Sequence, residues 1–278
     1  MESLSAFEPW LRAGAFALVF LLVAVWEAMA PRRARRFDRQ RRWPHNLALF
    51  ALDVLIVRLV APGAAVAVAF VAEERGLGLL NAFDVPPLWA AVAGVVALDL
   101  AIYGQHVLFH RVPALWRLHR VHHSDPDFDV TTGSRFHPLE IVLSLGIKCA
   151  AVLALGAPPV AVLIFEVVLN AAAMFNHANA GVPVPVDRWL RWFVVTPDMH
   201  RVHHSTLARE TNSNYGFNLP WWDRLFGTYK DQPAGGHRRM RIGVEGFDSP
   251  GEIGLGSLLT QPLRATHTSL NYSRKEHA

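Results

Sequence analysis

Charge and cysteine are both scarce in this chain. Only 18% of its 278 residues are charged against 52% hydrophobic, and the mean hydropathy is +0.21. Soluble domains carry about 25% charge, so a membrane protein is expected. The single cysteine, Cys149, sits in an apolar stretch. One thiol excludes an intrachain disulfide, a CxxC redox pair and a CxxCH haem attachment. A GxGxxG dinucleotide fingerprint is also missing. Metal chemistry must then rest on histidine and carboxylate, and electrons for any redox reaction must come from another molecule. At the amino terminus Glu2 and Glu8 replace a basic n-region, and no small-residue cleavage site precedes the following arginines, so no cleavable signal peptide is expected.

What is abundant is apolar sequence in spans. A helix crossing a bilayer core needs roughly 20 apolar residues. Ala13 to Ala30, Leu47 to Ala72 (interrupted by Pro62-Gly63) and Pro87 to Phe109 meet that need. Leu139 to Phe175 is too long for one span and is broken by Gly156-Ala157-Pro158-Pro159, which predicts a helical hairpin returning to its starting side. Four to five transmembrane helices follow. Between Arg32 and Arg42 stand seven arginines and one acid, Asp38, directly after the first run. They lie beside a membrane segment and are not interleaved with aromatics, so the sequence pI of 9.6 reads as topology and not as nucleic-acid binding. The positive-inside rule makes this loop cytoplasmic. Walking from there, every histidine-rich segment arrives at the same, cytoplasmic face.

Ten of the fourteen histidines lie between His106 and His204. His106 and His110 are spaced i, i+4, which stacks them on one helix face. His119-Arg-Val-His122-His123 and His200-Arg-Val-His203-His204 repeat one pentad with i, i+3, i+4 spacing. His177 closes the predicted hairpin, and His137 lies in Arg-Phe-His-Pro-Leu-Glu. A lone HxxxH on an amphipathic helix is weak evidence of metal binding. Two identical pentads plus HxxxH on one membrane face are hard to explain as unrelated surface residues. One ion with four to six ligands cannot use nine or ten imidazoles, whereas two can. Imidazole suits iron, copper, nickel and zinc. Iron is preferred because an all-nitrogen pair beside an apolar interior fits oxygen activation against an unactivated C–H bond; zinc would support hydrolysis instead. His45, His237, His267 and His277 read as ordinary surface residues.

With these boxes, the words Asp99-Leu-Ala-Ile-Tyr103, Thr196-Pro-Asp198, Asn214-Tyr-Gly216, Trp222-Asp223 and Phe226-Gly-Thr228 closely resemble the sterol desaturase and fatty acid hydroxylase superfamily, over about half the chain. The resemblance implies a non-haem di-iron membrane oxygenase acting on a lipid, with ligands at His106, His110, His119, His122, His123, His177, His200, His203 and His204. Hydroxylation and desaturation both stay open. Fatty acid 2-hydroxylase-like members carry a histidine pair where this chain has only His177, and His137 is the candidate to fill the vacant ligand position. The expected fold is an all-α integral membrane protein with a histidine-rich helical cap on the cytosolic face. Residues 1–84 would form the first membrane helices and basic loop, 85–230 the catalytic domain and 231–278 a polar tail with little catalytic content.

Two iron ions and an external electron donor of cytochrome b5 or ferredoxin type are the implied cofactors and partners. The basic loop and His237-Arg-Arg-Met-Arg241 suit an acidic donor, or more simply anionic lipid. Asp99 is a candidate to orient a ligand imidazole or to make a contact between helices, with Tyr103 near the same face; Asp198, Asn176, Glu140 and Asp223 are weaker candidates. Trp221 and Trp222 read as interfacial anchors first and as tunnel residues second. Two other classes compete: a membrane zinc hydrolase with the same ligands, and a metal transporter. A transporter would place its ligands along a path near mid-bilayer, and these gather at one end.

Overall fold

The structure, a computed structural model, describes residues 2–265, and over these it is helical, with only two isolated β-bridges. Five elements are long and apolar enough to cross a membrane. They are helix α1 (Glu2–Met29), the joined pair α2 (Arg39–Val60) and α3 (Ala64–Glu74), α5 (Pro87–Arg111), α7 (Pro138–Leu155) and α8 (Pro159–Asn176). The short α4 (Leu79–Ala82) lies between α3 and α5, and α6 (Pro113–His123) between α5 and α7. The expected interruptions occur where the sequence places them. The α2–α3 junction falls at Pro62-Gly63, and α7 gives way to α8 at Gly156, which adopts a left-handed φ of 64°. Large apolar side chains face outward along the spans, Leu21 (61% exposed), Leu22 and Leu59 among them. Such a surface suits lipid and not water.

The spans share one polarity. Gly78, after α3, packs so tightly on Gly156 that a Cβ on Gly78 would lie 2.1 Å from the Gly156 amide nitrogen. The loop after α3 and the hairpin tip are therefore at one end of the bundle. The C-terminus of α5, the N-terminus of α7 and the C-terminus of α8 are all at the other, where the histidines collect. Between the ends, small and β-branched residues allow close packing: Ala65 and Ala69 of α3 meet Leu98 and Ile102 of α5, Val152 of α7 and Phe165 of α8.

Beyond the span ends, the chain builds a cap stitched by buried ion pairs. Arg42, at the start of α2, is fully buried and donates to both oxygens of Asp125 (2.7 and 2.6 Å) and to Asp129 (2.7 Å). Asn46 and Arg135 approach Asp125 from the other side, at 3.1 and 3.5 Å. Burial alone would raise the Asp125 carboxyl, but the Arg42 and Arg135 charges hold it below the usual carboxylate range. This network fixes the 124–135 loop, which runs directly on from His123.

Within the segment read from sequence as a polar tail, residues 231–265 pack against the cap. Arg120 donates to the carbonyls of Gln261 and Arg264, Ser124 donates to Gln261 Oε1, and Ile242 bridges to Ser205. Leu258 packs with Leu49 and Val121. The pairing is between main-chain carbonyls and buried polar side chains, so no hydropathy pattern announces it. His267 and His277 lie outside the described residues.

Removing Arg42 takes the bidentate cation from buried Asp125 and the ion-pair partner from buried Asp129. Arg42→Ala is expected to cost about 3–5 kcal/mol in denaturant unfolding of the detergent-solubilised protein, while Arg35→Ala, an exposed position, should stay within about 0.5 kcal/mol of wild type.

Candidate metal centre

Helix α5 ends with His106 and His110, and α6 ends with the first pentad. His177 caps the C-terminus of α8. Past α9 (Val184–Leu190), the second pentad occupies α10 (Pro197–His203) and its cap, His204; Thr196 opens α10 by accepting the Met199 amide. Pro113 and Pro197, each at the first turn, set the φ of the helix start and remove a donor that would go unsatisfied there. Each of these elements is held with its imidazoles pointing inward, and all nine rings are buried.

The nine sort into two groups. His106, His110, His119, His123 and His203 form one; His122, His177, His200 and His204 form the other, with the ring nitrogens of each group within 4.8 Å of one another. The two pentads contribute reciprocally. The i and i+4 residues of the first (His119, His123) join one group and the i+3 residue (His122) the other, and in the second pentad the assignment is reversed. A 3.6-residue repeat stacks i over i+4 and turns i+3 to the neighbouring position. This is how two pentads can build two adjoining sites.

Hydrogen bonds at the backs of the rings decide which nitrogen faces inward. His106 Nδ1 donates to the Tyr215 carbonyl (2.6 Å), His203 Nδ1 to the Ser213 carbonyl (2.7 Å) and His177 Nδ1 to the Ala173 carbonyl (2.7 Å). His119 Nδ1 lies 2.6 Å from Glu140 Oε1. A carbonyl can only accept, so the proton of the neutral ring is on Nδ1 and Nε2 keeps a bare lone pair. His106 Nε2 and His203 Nε2 nonetheless face each other at 3.0 Å. In the second group His177 Nε2 lies 3.1, 3.1 and 3.2 Å from Nε2 of His122, His200 and His204. His119 Nε2 is buried with no hydrogen-bond partner. Two lone pairs at that distance repel each other, and a cation bound by both removes the conflict. The donor set, all neutral imidazole, fits iron, copper, nickel or zinc.

Burial also keeps the rings neutral. It pushes His119 and His177 down to about 3, and His122, His123, His200, His203 and His204 well below the ordinary imidazole value. Neutral imidazole is the form that ligates metal. Aromatic walls exclude water: Phe136 stacks on His122 (4.4 Å between ring centres), Trp116 abuts His110 and His123, and Phe128 lies against His177 and His204.

The structure does not bring His137 into either group. It caps α7, its Nδ1 accepting the Leu139 amide and its Nε2 meeting the Leu259 carbonyl at 3.2 Å. Asp99 touches no imidazole. It accepts from Trp222 Nε1 (2.8 Å) and the Leu219 amide (3.3 Å), joining α5 to the segment after α10. Tyr103 pairs with Thr228 in the same seam, and Asn176 donates to the Phe217 carbonyl. Glu140, a weaker candidate by sequence, is the carboxylate that reaches a histidine of the two groups. His237 is a correction: it is buried and its Nε2 lies 3.5 Å from Asp198. Asp198 also takes Arg201 and Arg32, which overcome its burial and hold it down to about 2. Of the two tryptophans, Trp222 is tied to Asp99, while Trp221 is exposed and donates to the Trp192 carbonyl.

Sequence reasoning missed the backbone acceptors. Asn214 takes a left-handed φ of 52° between Ser213 and Tyr215, and its side chain binds the Met199 and Lys230 carbonyls. Asp223 receives the amides of Tyr215 and Gly216 and the Thr228 hydroxyl. The Asn-Tyr-Gly and Trp-Asp words thus hold one loop whose carbonyls orient His203 and His106. Their presence beside the pentads was the only signal.

Comparison with known proteins matches residues 91–228 to the fatty acid hydroxylase family. The chain is 33% identical over 149 residues to ornithine lipid hydroxylase OlsE of Rhizobium tropici, covering 53% of this chain and 44% of that protein. It is 28% identical to alkylglycerol monooxygenase of Homo sapiens (51% of this chain, 31% of that protein) and 26% identical to cholesterol 25-hydroxylase of Rattus norvegicus (57% and 52%). The matches therefore span about half or less of these relatives' lengths. No solved structure matches.

His137→Ala should leave the metal content of the purified protein unchanged and cost about 1 kcal/mol through the lost cap, whereas His177→Ala should lower it; elemental analysis checks both. Glu140→Ala should weaken metal affinity about 10–100-fold, measured by chelator competition.

Proposed function

Residues 91–228 belong to the fatty acid hydroxylase family, within the sterol desaturase and fatty acid hydroxylase superfamily, and from that premise we propose that the chain is an oxygen-dependent hydroxylase of a membrane lipid, working with two iron ions. The observation that carries the reading is the pair of bare lone pairs, His106 Nε2 and His203 Nε2, facing each other at 3.0 Å in a buried, all-imidazole cluster. The proposed ligands are His106, His110, His119, His123 and His203 for one ion and His122, His177, His200 and His204 for the other. Bound there, two ions would supply the stepwise reduction of oxygen that lets one of its atoms enter an unactivated C–H bond.

The chain's own residues prepare that chemistry. The Tyr215, Ser213 and Ala173 carbonyls hold the Nδ1 protons of His106, His203 and His177, and Glu140 meets Nδ1 of His119, so each backed ring presents Nε2 inward. Phe136, Phe128 and Trp116 keep water from the cluster, which protects a reactive site from side reactions. The cluster stands where α5 and α8 end and α7 begins, at the boundary of the apolar spans. The overall balance is C–H plus O2, two electrons and two protons giving C–OH and water. Hydroxylation is preferred to desaturation because the named relatives are hydroxylases and monooxygenases.

The arginine-rich segment Arg32 to Arg42 lies at the histidine end, and the opposite loop, 73–84, holds a single basic residue, Arg75. This asymmetry supports a cytoplasmic position for the cluster.

The test is lipid extract incubated with the purified protein, a chemical reductant and isotopically labelled O2. One labelled oxygen per product molecule is expected, lost in His106→Ala and His203→Ala, with two irons per chain in the active preparation. Turnover without oxygen, or with zinc alone, would sink the reading.

A further inference from the structure

Two basic segments that lie about two hundred residues apart in sequence meet on the surface of the cap. Arg32, after α1, lines one open groove of about 340 Å³ together with His237, Arg238 and Arg239. Arg33 approaches the His237 carbonyl at 3.5 Å, and Arg36 and Arg241 both reach Asp248, at 2.8 and 3.4 Å. Arg36, Arg238, Arg239 and Arg241 are exposed. Six arginines thus form one patch, with Asp248 at its edge and Asp198 beneath it. The loop that carries Arg32 to Arg36 crosses the cap, touching Asp198, Asn179 and Asp127 in turn. None of these three belongs to a membrane span.

Beneath the patch the route to the histidines is short. Asp198, bonded to Arg32 and close to His237, is also bonded to Arg201 on α10. Arg201 is buried, donates to the Ala178 carbonyl next to His177, and lies 5.1 Å over the Phe128 ring. That ring lies 5.3 and 5.1 Å from His177 and His204. The patch is therefore one helix away from the second histidine group, and the sequence carries no CxxC, CxxCH or GxGxxG motif for an electron-carrying cofactor of its own.

Resting on the hydroxylase reading above, we propose that this patch is the docking surface for a small, acidic, one-electron carrier protein. Each C–H hydroxylation consumes two electrons and two protons along with O2, so two reduced carriers are oxidised per turnover. Arginine-rich surfaces steer acidic partners and set their orientation, with an effect that salt screens. The partners that hold the patch, Asp198, Asn179, Asp127 and Asp248, all lie outside the membrane spans, which favours a carrier from the aqueous phase over lipid headgroups.

The test uses full-length protein in phosphatidylcholine nanodiscs and, as probe, an acidic ferredoxin whose cluster iron is replaced by redox-inert gallium. Arg238→Glu/Arg239→Glu should weaken probe binding at least about tenfold, and wild-type binding should fall as salt rises. Arg75→Glu, a single charge reversal at the other end of the bundle, should bind as wild type does. Turnover driven by a small chemical reductant should be the same in all three proteins. Failure of the wild-type protein to bind the probe, equal binding by the double variant, or loss of wild-type probe binding in parallel nanodiscs that also contain phosphatidylglycerol, whose headgroups then occupy the patch, overturns the proposal. Because binding is read without turnover, a protein that binds the probe but oxidises no lipid would refute the hydroxylase reading and leave the docking surface standing.

Discussion

Nine neutral imidazoles crowded together and buried form an arrangement that a protein alone does not favour. Wherever a backbone carbonyl holds the Nδ1 proton, the opposite nitrogen turns a lone pair toward its neighbours, and in His106 and His203 two of these meet at 3.0 Å. Solvent cannot soften the repulsion, since every ring is buried. The rest of the cap is organised to bear it. Carbonyls of the 213–215 loop, the Ala173 carbonyl and Glu140 clamp the rings from behind, and aromatic side chains fill the space around them.

The clamps are themselves anchored. Asp223 and Asn214 fix the 213–215 loop, and Asp99, from inside α5, holds the Trp222 end of the same segment through the Trp222 indole. Arg42 and Arg135 hold Asp125 and with it the loop that follows the first pentad; Arg120 binds that pentad to residues 261–264. Arg201 does the corresponding work in the second pentad, through Asp198 and the Ala178 carbonyl. The identical Arg of the two pentads thus serves the same purpose with different partners. Buried charges of this kind add little net stability. Their value here is geometric, because each ties a ligand-bearing helix end to a distant part of the chain.

The membrane part of the fold was legible because its causes are local. Apolar length defined the spans, Pro62-Gly63 and Gly156 to Pro159 defined the breaks, and the alternation of directions brought every histidine box to one end. The i, i+4 spacing likewise fixed which histidines share a helix face. Less could be read of their surroundings. Glu140 stood level with Asp198 and Asp223 as a partner for a ring, and Asp99 was put ahead of them, since nothing in the spacing says which carboxylate arrives beside His119.

His137 and His237 show where local reasoning ends. By sequence the first was a candidate ligand and the second a surface residue; in the fold the first caps a helix beneath the carboxyl-terminal segment and the second is buried against Asp198. Both outcomes depend on residues 231–265, whose packing rests on hydrogen bonds to main-chain carbonyls that no residue pattern encodes. The sequence by itself therefore determined the apolar spans and their breaks, the two pentads and the nine histidines that share one end of the bundle, because period and hydropathy act over a few residues. Only the tertiary structure decided how those nine divide into groups of five and four, which nitrogen each backed ring presents, and that two distant arginine runs make one surface, because these depend on contacts between segments far apart in the chain.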